Sequence, residues 1–112
     1  MYTESSDYNI TLFQPCVDDP NKYIAQSRFG RTISMNVLCR ILQNNLRFGL
    51  IVQLSCSEKL GVARFDFMDK TIILYKSGKI DIRKSSGEED ARNTMEHVET
   101  MVVDSFSDIS FD

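Results

Sequence analysis

The segment KTIILYKSGKIDIR, residues 70–83, decides how this chain folds. Two β-rich runs flank Lys76-Ser77-Gly78, and Gly78 stands where a three-residue hairpin loop needs a left-handed residue. Pairing Tyr75 with Lys79 around that loop puts Ile72, Leu74, Ile80 and Ile82 on one face. Thr71, Ile73, Tyr75, Lys79, Asp81 and Arg83 fall on the other. The first face requires a core. The second mixes charges, a hydroxyl and an aromatic ring, and suits either water or a partner.

Two further strands lead into this hairpin. Phe48–Ser55 is followed by a turn at Ser57–Gly61. In Val62–Met68, the residues Ala63, Phe65 and Phe67 alternate with Val62, Arg64, Asp66 and Met68. Such short connections imply an antiparallel meander. Before it, Ser34 caps a helix reaching about Asn45, with Val37, Leu38, Ile41 and Leu42 on one side. Earlier still, Tyr8–Cys16 reads as a strand. Asp19 and Pro20 then open a short helix that runs through about Phe29 and stops at Gly30. After the meander, Ser86-x-x-Glu89 forms a capping box, and Glu88, Glu89 and Asp90 complement the positive helix end. Ala91, Met95, Val98, Met101 and Val102 give that last helix its apolar stripe. The expected fold is α+β, ordered β-α-α-β-β-β-β-α, with a single antiparallel sheet and helices packed on one face. Residues 1–7 are expected to be a flexible N-terminus, 8–103 the domain, and 104–112 an acidic, aromatic tail.

Composition sets the outer limits. A chain of 112 residues, 42% hydrophobic, builds one core. A net charge of −3 gives no global basic signature for nucleic acid, although a local basic stripe works on an acidic domain. Cys16, Cys39 and Cys56 are odd in number and widely spaced. They match neither a disulfide framework nor a zinc pattern, so three reduced thiols in a cytoplasmic protein are expected. No signal peptide is expected, and the apolar runs are too short to cross a bilayer, which leaves no membrane partner. His97 is the lone histidine and falls beside Glu96 on a polar helix face. Asp18-Asp19 and Glu88-Glu89-Asp90 serve as helix caps. With no phosphate loop and no ligand cluster, the expectation is a protein that is not an enzyme and needs no cofactor or metal.

The hairpin, with an aromatic residue preceding Ser77-Gly78-Lys79, resembles that of a repeat of the TATA-box-binding protein. Asn9-Ile10-Thr11 resembles that family's Asn-apolar-Val start. Lys22-Tyr23-Ile24-Ala25 resembles a run in its first helix, and Arg47-Phe48-Gly49-Leu50-Ile51-Val52 resembles the strand carrying one DNA wedge. The resemblance spans roughly Tyr8 to Val103 and covers a single repeat, half of a saddle. It implies a homodimer and an open sheet face that takes a macromolecular partner, nucleic acid or protein. Asn9, Arg47, Phe48, Tyr75, Lys79 and Arg83 would carry that contact. Asp81 stands on this face where the family has an apolar residue, and a carboxylate there opposes the potential of a minor groove. The same pattern also fits an ordinary solvated strand face, with lysines discouraging edge pairing. The expected function is a non-enzymatic interaction or regulatory module. The alternatives are a small-molecule-binding regulatory domain, with a pocket between sheet and extra helix, or a protein–protein adaptor.

Overall fold

A computed structural model of the chain describes residues 8–13 and 22–107. The elements are β1 (Thr11–Phe13), β2 (Tyr23–Arg28), β3 (Thr32–Ile33), α1 (Met35–Arg47), β4 (Val52–Ser57), β5 (Val62–Phe67), β6 (Lys70–Tyr75), β7 (Lys79–Ser85), α2 (Glu88–Val102), a 3-10 turn (Val103–Ser105) and β8 (Phe106–Ser107). Among the described residues, six strands form one antiparallel sheet in the order β1-β2-β7-β6-β5-β4. β3 and β8 form a separate two-stranded ladder.

The β6–β7 register is the one that the hairpin requires. Ile72 lies opposite Ile82, Ile73 opposite Asp81, and Leu74 opposite Ile80. Gly78 takes φ +91°, and its N–H donates to the Tyr75 carbonyl at 2.8 Å. A β-carbon there would also collide with the Arg31 carbonyl oxygen, so both conformation and space demand glycine. Ile72, Leu74, Ile80 and Ile82 are fully buried. They form one core with Phe65 of β5, Leu38 and Leu42 of α1, and Met95, Val98 and Val102 of α2. Both helices therefore cover the same face of the sheet.

Several expectations are corrected. Tyr23–Arg28 is not helical: it is β2, paired on one side with β1 and on the other with β7. Ala25 and Ser27 are buried with period two on the face that carries the core. The free edge of β7 needs a strand partner, and this pairing overrides the local helix-start signal. That signal, Asp19-Pro20, lies outside the described residues, as does the end of the first strand at Cys16. The described order is thus β-β-β-α-β-β-β-β-α-β.

The α1 helix runs past Asn44-Asn45. It closes in a Schellman arrangement, with Gly49 at φ +78°, the Gly49 N–H on the Leu46 carbonyl (3.0 Å) and the Leu50 N–H on the Asn45 carbonyl (2.9 Å). The strand expected from Phe48 consequently starts only at Val52. At the other helix, Gly87 and not Ser86 occupies the N-cap position. Asp90, not Glu89, reaches back: its Oδ2 accepts the Ser86 N–H at 2.9 Å, and Lys70 Nζ sits 3.2 Å from its Oδ1.

The cysteines are not all reduced. Cys39 of α1 and Cys56 of β4 form a disulfide that ties the helix to an edge strand. Residues 104–107, read as the start of a tail, belong to the 3-10 turn and β8. Ser105 is buried, and Phe106 packs on Phe29 with ring centroids 5.4 Å apart.

Three outcomes follow from this packing. Leu74→Ala should lower stability by roughly 2–5 kcal/mol in chemical denaturation; a loss below about 1 kcal/mol would mean that Leu74 does not face the helices. Reducing the Cys39–Cys56 bridge, which spans a sequence separation of 17, should cost on the order of 3 kcal/mol. Burial works against ionisation of Asp90, but the Ser86 N–H and the Lys70 ammonium outweigh it and hold the pKa below its ordinary 3.8. A depressed folded pKa contributes stability above the unfolded value and loses it as pH falls through the folded value. Asp90→Asn should therefore flatten the acid limb of a stability–pH profile and remove about 1 kcal/mol at neutral pH.

Candidate functional site: the open face of the sheet

The strand register lays out the face that the helices leave uncovered. One row across the sheet reads Thr11, Gln26, Asp81, Ile73, Arg64 and Ser55. The row toward the hairpin loop carries Arg28 opposite Lys79, and Tyr75 opposite Val62. The row on the other side carries Arg83, Thr71, Asp66 and Val52. Four cations thus share the face with two carboxylates.

The polar groups are organised around Tyr75 and Asp81. The Tyr75 hydroxyl donates to Asp81 Oδ2 at 3.2 Å, and Lys79 Nζ lies 5.2 Å from the centroid of the Tyr75 ring. Burial pushes the Tyr75 phenol above its usual pKa of 10, and the Asp81 charge and hydrogen bond push it further, against the opposing Arg83. Asp66 Oδ1 accepts from Thr71 Oγ1 at 2.9 Å. Asp81 is only 8% exposed, and its Oδ1 is buried with no hydrogen-bond partner. Beside this centre lies a hollow of about 670 Å³, with Asn9, Thr11, Gln26, Arg28 and Lys79 on its walls.

Of the six residues expected to carry a contact, the fold brings together Tyr75, Lys79 and Arg83. Asn9 flanks them just ahead of β1, its carbonyl accepting from Ser27 Oγ at 2.6 Å. Arg47 and Phe48 are not on this face. Arg47 ends α1, and Phe48 is the helix C-cap, 77% exposed beside the α1–β4 turn. The late stop of α1 at Gly49 removes them from the sheet. Gln26 and Arg28 were hidden by the helical reading of their segment. The alternation of Ala25 and Ser27 is the signal that reveals them.

A second hollow, of about 590 Å³, opens on the helix side between Leu50, Phe67, Glu96, His97, Thr100 and Met101. His97 itself is exposed and sits 2.8 Å from the Asn93 carbonyl through Nδ1. Among the described residues, no group of three His, Cys, Asp or Glu side chains is arranged to hold a metal, and no helix is long and apolar enough to cross a membrane.

No family model matches the chain, and no curated protein or solved structure matches it either.

The raised pKa of Tyr75 has a definite sign. A phenol held neutral by the fold contributes stability below the unfolded value of 10 and loses it as pH rises through the folded value. Site-resolved NMR should therefore show Tyr75 ionising above an ordinary tyrosine. Asp81→Asn should move that midpoint back down, because it removes a negative neighbour. An unshifted midpoint in the wild type would dissolve the Tyr75–Asp81 pairing.

Proposed function

We propose that this chain is a non-enzymatic, homodimeric interaction module, resembling half of a TATA-box-binding-protein saddle, whose open sheet face holds nucleic acid. One observation carries the reading: Arg28, Arg64, Lys79 and Arg83 share with Tyr75 a face that neither helix covers. Cations hold phosphates and an aromatic ring receives a base, a combination suited to strands with exposed bases. The segment from β2 to α2 supports the family likeness: apart from the two-residue β3, which lies between β2 and α1, it runs strand, helix, four-strand meander, helix. In this alignment the strand ahead of the helix is β2, so Asn9-Ile10-Thr11 leads into an added edge strand. Phe48, away from the face, gives no support to a wedge in a duplex groove. Exposed bases are therefore a better substrate than paired ones.

The second reading, a small-molecule-binding regulatory domain, draws on the helix-side hollow next to His97. A cytoplasmic home fits either reading only if the Cys39–Cys56 bridge resists the glutathione pool. Structural disulfides favour oxidising compartments, or the interior of hyperthermophiles.

Titration of a labelled single strand by fluorescence anisotropy at several salt concentrations tests the proposal. With four cations on the face, log K should fall against log salt with a slope of roughly −3. The double variant Lys79→Glu, Arg83→Glu should weaken binding by more than about tenfold. Absence of binding at low salt, or a flat salt dependence, would leave the small-molecule reading in its place. Light scattering at high micromolar concentration should give the mass of a dimer; a monomer mass removes the homodimer.

A further inference from the structure

Asp81 sits in the middle of the open face with half of its carboxylate unused. Oδ2 accepts the Tyr75 hydroxyl, whereas Oδ1 is buried and accepts nothing. Native proteins seldom keep a buried acceptor unmatched, because it has lost its water without gaining a donor. A donor on whatever covers this face would match it.

The surrounding charge restricts what can bring that donor. Arg28, Arg64, Lys79 and Arg83 outnumber Asp66 and Asp81, so an ammonium or guanidinium ligand meets net repulsion. The donor has to sit on a neutral group attached to an anion. A nucleobase on a phosphate backbone has that form. Among the bases, guanine presents two adjacent donors, N1–H and the N2 amino group, which match the two oxygens of one carboxylate. Adenine and cytosine place a ring acceptor next to their amino group, and thymine flanks its single N–H with carbonyls. Each would turn a lone pair toward Asp81.

We infer that Asp81 recognises guanine in a single strand laid across the open face, an inference that rests on the nucleic-acid reading above. Guanine N1–H and N2–H donate to the Asp81 carboxylate, and the Tyr75 ring supports the base. Asp81 and Tyr75 do not line the hollow of about 670 Å³ walled by Asn9, Gln26, Arg28, Lys79 and Glu99; it lies toward β1 and β2, and has room for a nucleotide next to the recognised one. Lys79 and Arg83, two positions to either side of Asp81, carry long side chains that swing to the phosphates and open the way to Oδ1. Lys79 leaves the Tyr75 ring in doing so. Duplexes are excluded because pairing already occupies the N1–H and N2–H edge of guanine.

The test compares a short labelled oligothymidine with the same strand carrying guanine at alternate positions. The wild type should bind the guanine strand about tenfold more tightly. Replacing each guanine by inosine removes the N2 amino group without touching the protein, and should erase most of that preference. Asp81→Asn, with its fold checked by thermal melting, should bind both strands within about twofold of each other while keeping the salt dependence. Equal wild-type affinity for the two strands overturns the inference and leaves the nucleic-acid reading standing. A preference that survives both inosine and Asp81→Asn overturns it equally. No binding to either strand removes both.

Discussion

The pairing of β6 with β7 around Gly78 is the constraint on which the rest of the molecule depends. Strand side chains alternate, so a slip of one residue would turn one strand over, exposing either Ile72 and Leu74 or Ile80 and Ile82 and burying Ile73 or Asp81 in their place. Each aliphatic side chain is worth about 1.5–3 kcal/mol when buried, so no other register competes. The loop is also held from outside. The Phe29 N–H donates to the Gly78 carbonyl and the Ile33 N–H to the Lys76 carbonyl, both at 2.9 Å, while the Lys76 N–H reaches the Gly61 carbonyl at 2.8 Å. One turn thereby sets the path of the β2–β3 segment and the end of the β4–β5 hairpin.

Strained backbone at the sheet margins shapes the face that this register creates. Two bulges interrupt the ladders, one in β4 at Gln53 (φ +56°) and one in β7 at Lys84 (φ +68°). Each adds a residue and increases local twist near an end of the sheet. The β5–β6 turn takes positive φ at both Met68 (+54°) and Asp69 (+64°), a conformation usually given to Asn-Gly. Lys70 steadies it, with Nζ 3.3 Å from the Met68 carbonyl and 3.2 Å from the Asp90 carboxylate. The start of α2 is in this way fastened to the turn beneath it. At the opposite margin, Tyr8 donates to Glu99 and stacks edge-on against Phe29, which meets Phe106. Arg31 lies 4.8 Å from the centre of the Phe106 ring.

Asp81 is a carboxylate buried on the open face, where it works against stability. Its neighbour Ile73 is equally buried and Thr71 more so, although all three lie on the uncovered face. Asp81 Oδ1 is buried there without a donor. An apolar residue at this position would avoid that desolvation. A carboxylate there is costly in the free protein, and a hydrogen-bond donor reaching Oδ1 would offset that cost.

The hairpin, the alternation of β5 and the buried stripe of α2 were legible in the sequence because their signals are local: a glycine in a loop of fixed length, period two, or a helical stripe. Tyr75, Lys79 and Arg83 inherited their common face from that same register. The stop of α1 at Gly49 was also local, but Asn44-Asn45 offered a competing end, and the choice moved Arg47 and Phe48 onto the wrong element. Tyr23–Arg28 became a strand because β7 had an unpaired edge, a demand that no short stretch expresses. Cys39 and Cys56 meet because α1 packs beside β4, and their spacing carries no pattern of its own. The unmatched oxygen of Asp81 depends on neighbours from β2, β6 and β7 together. The sequence by itself determined which residues alternate and where the chain turns, since those follow from backbone sterics over a few residues. Only the tertiary structure decided which strands became neighbours, and with them the composition of the open face, since pairing is settled by burial and hydrogen bonding between distant segments.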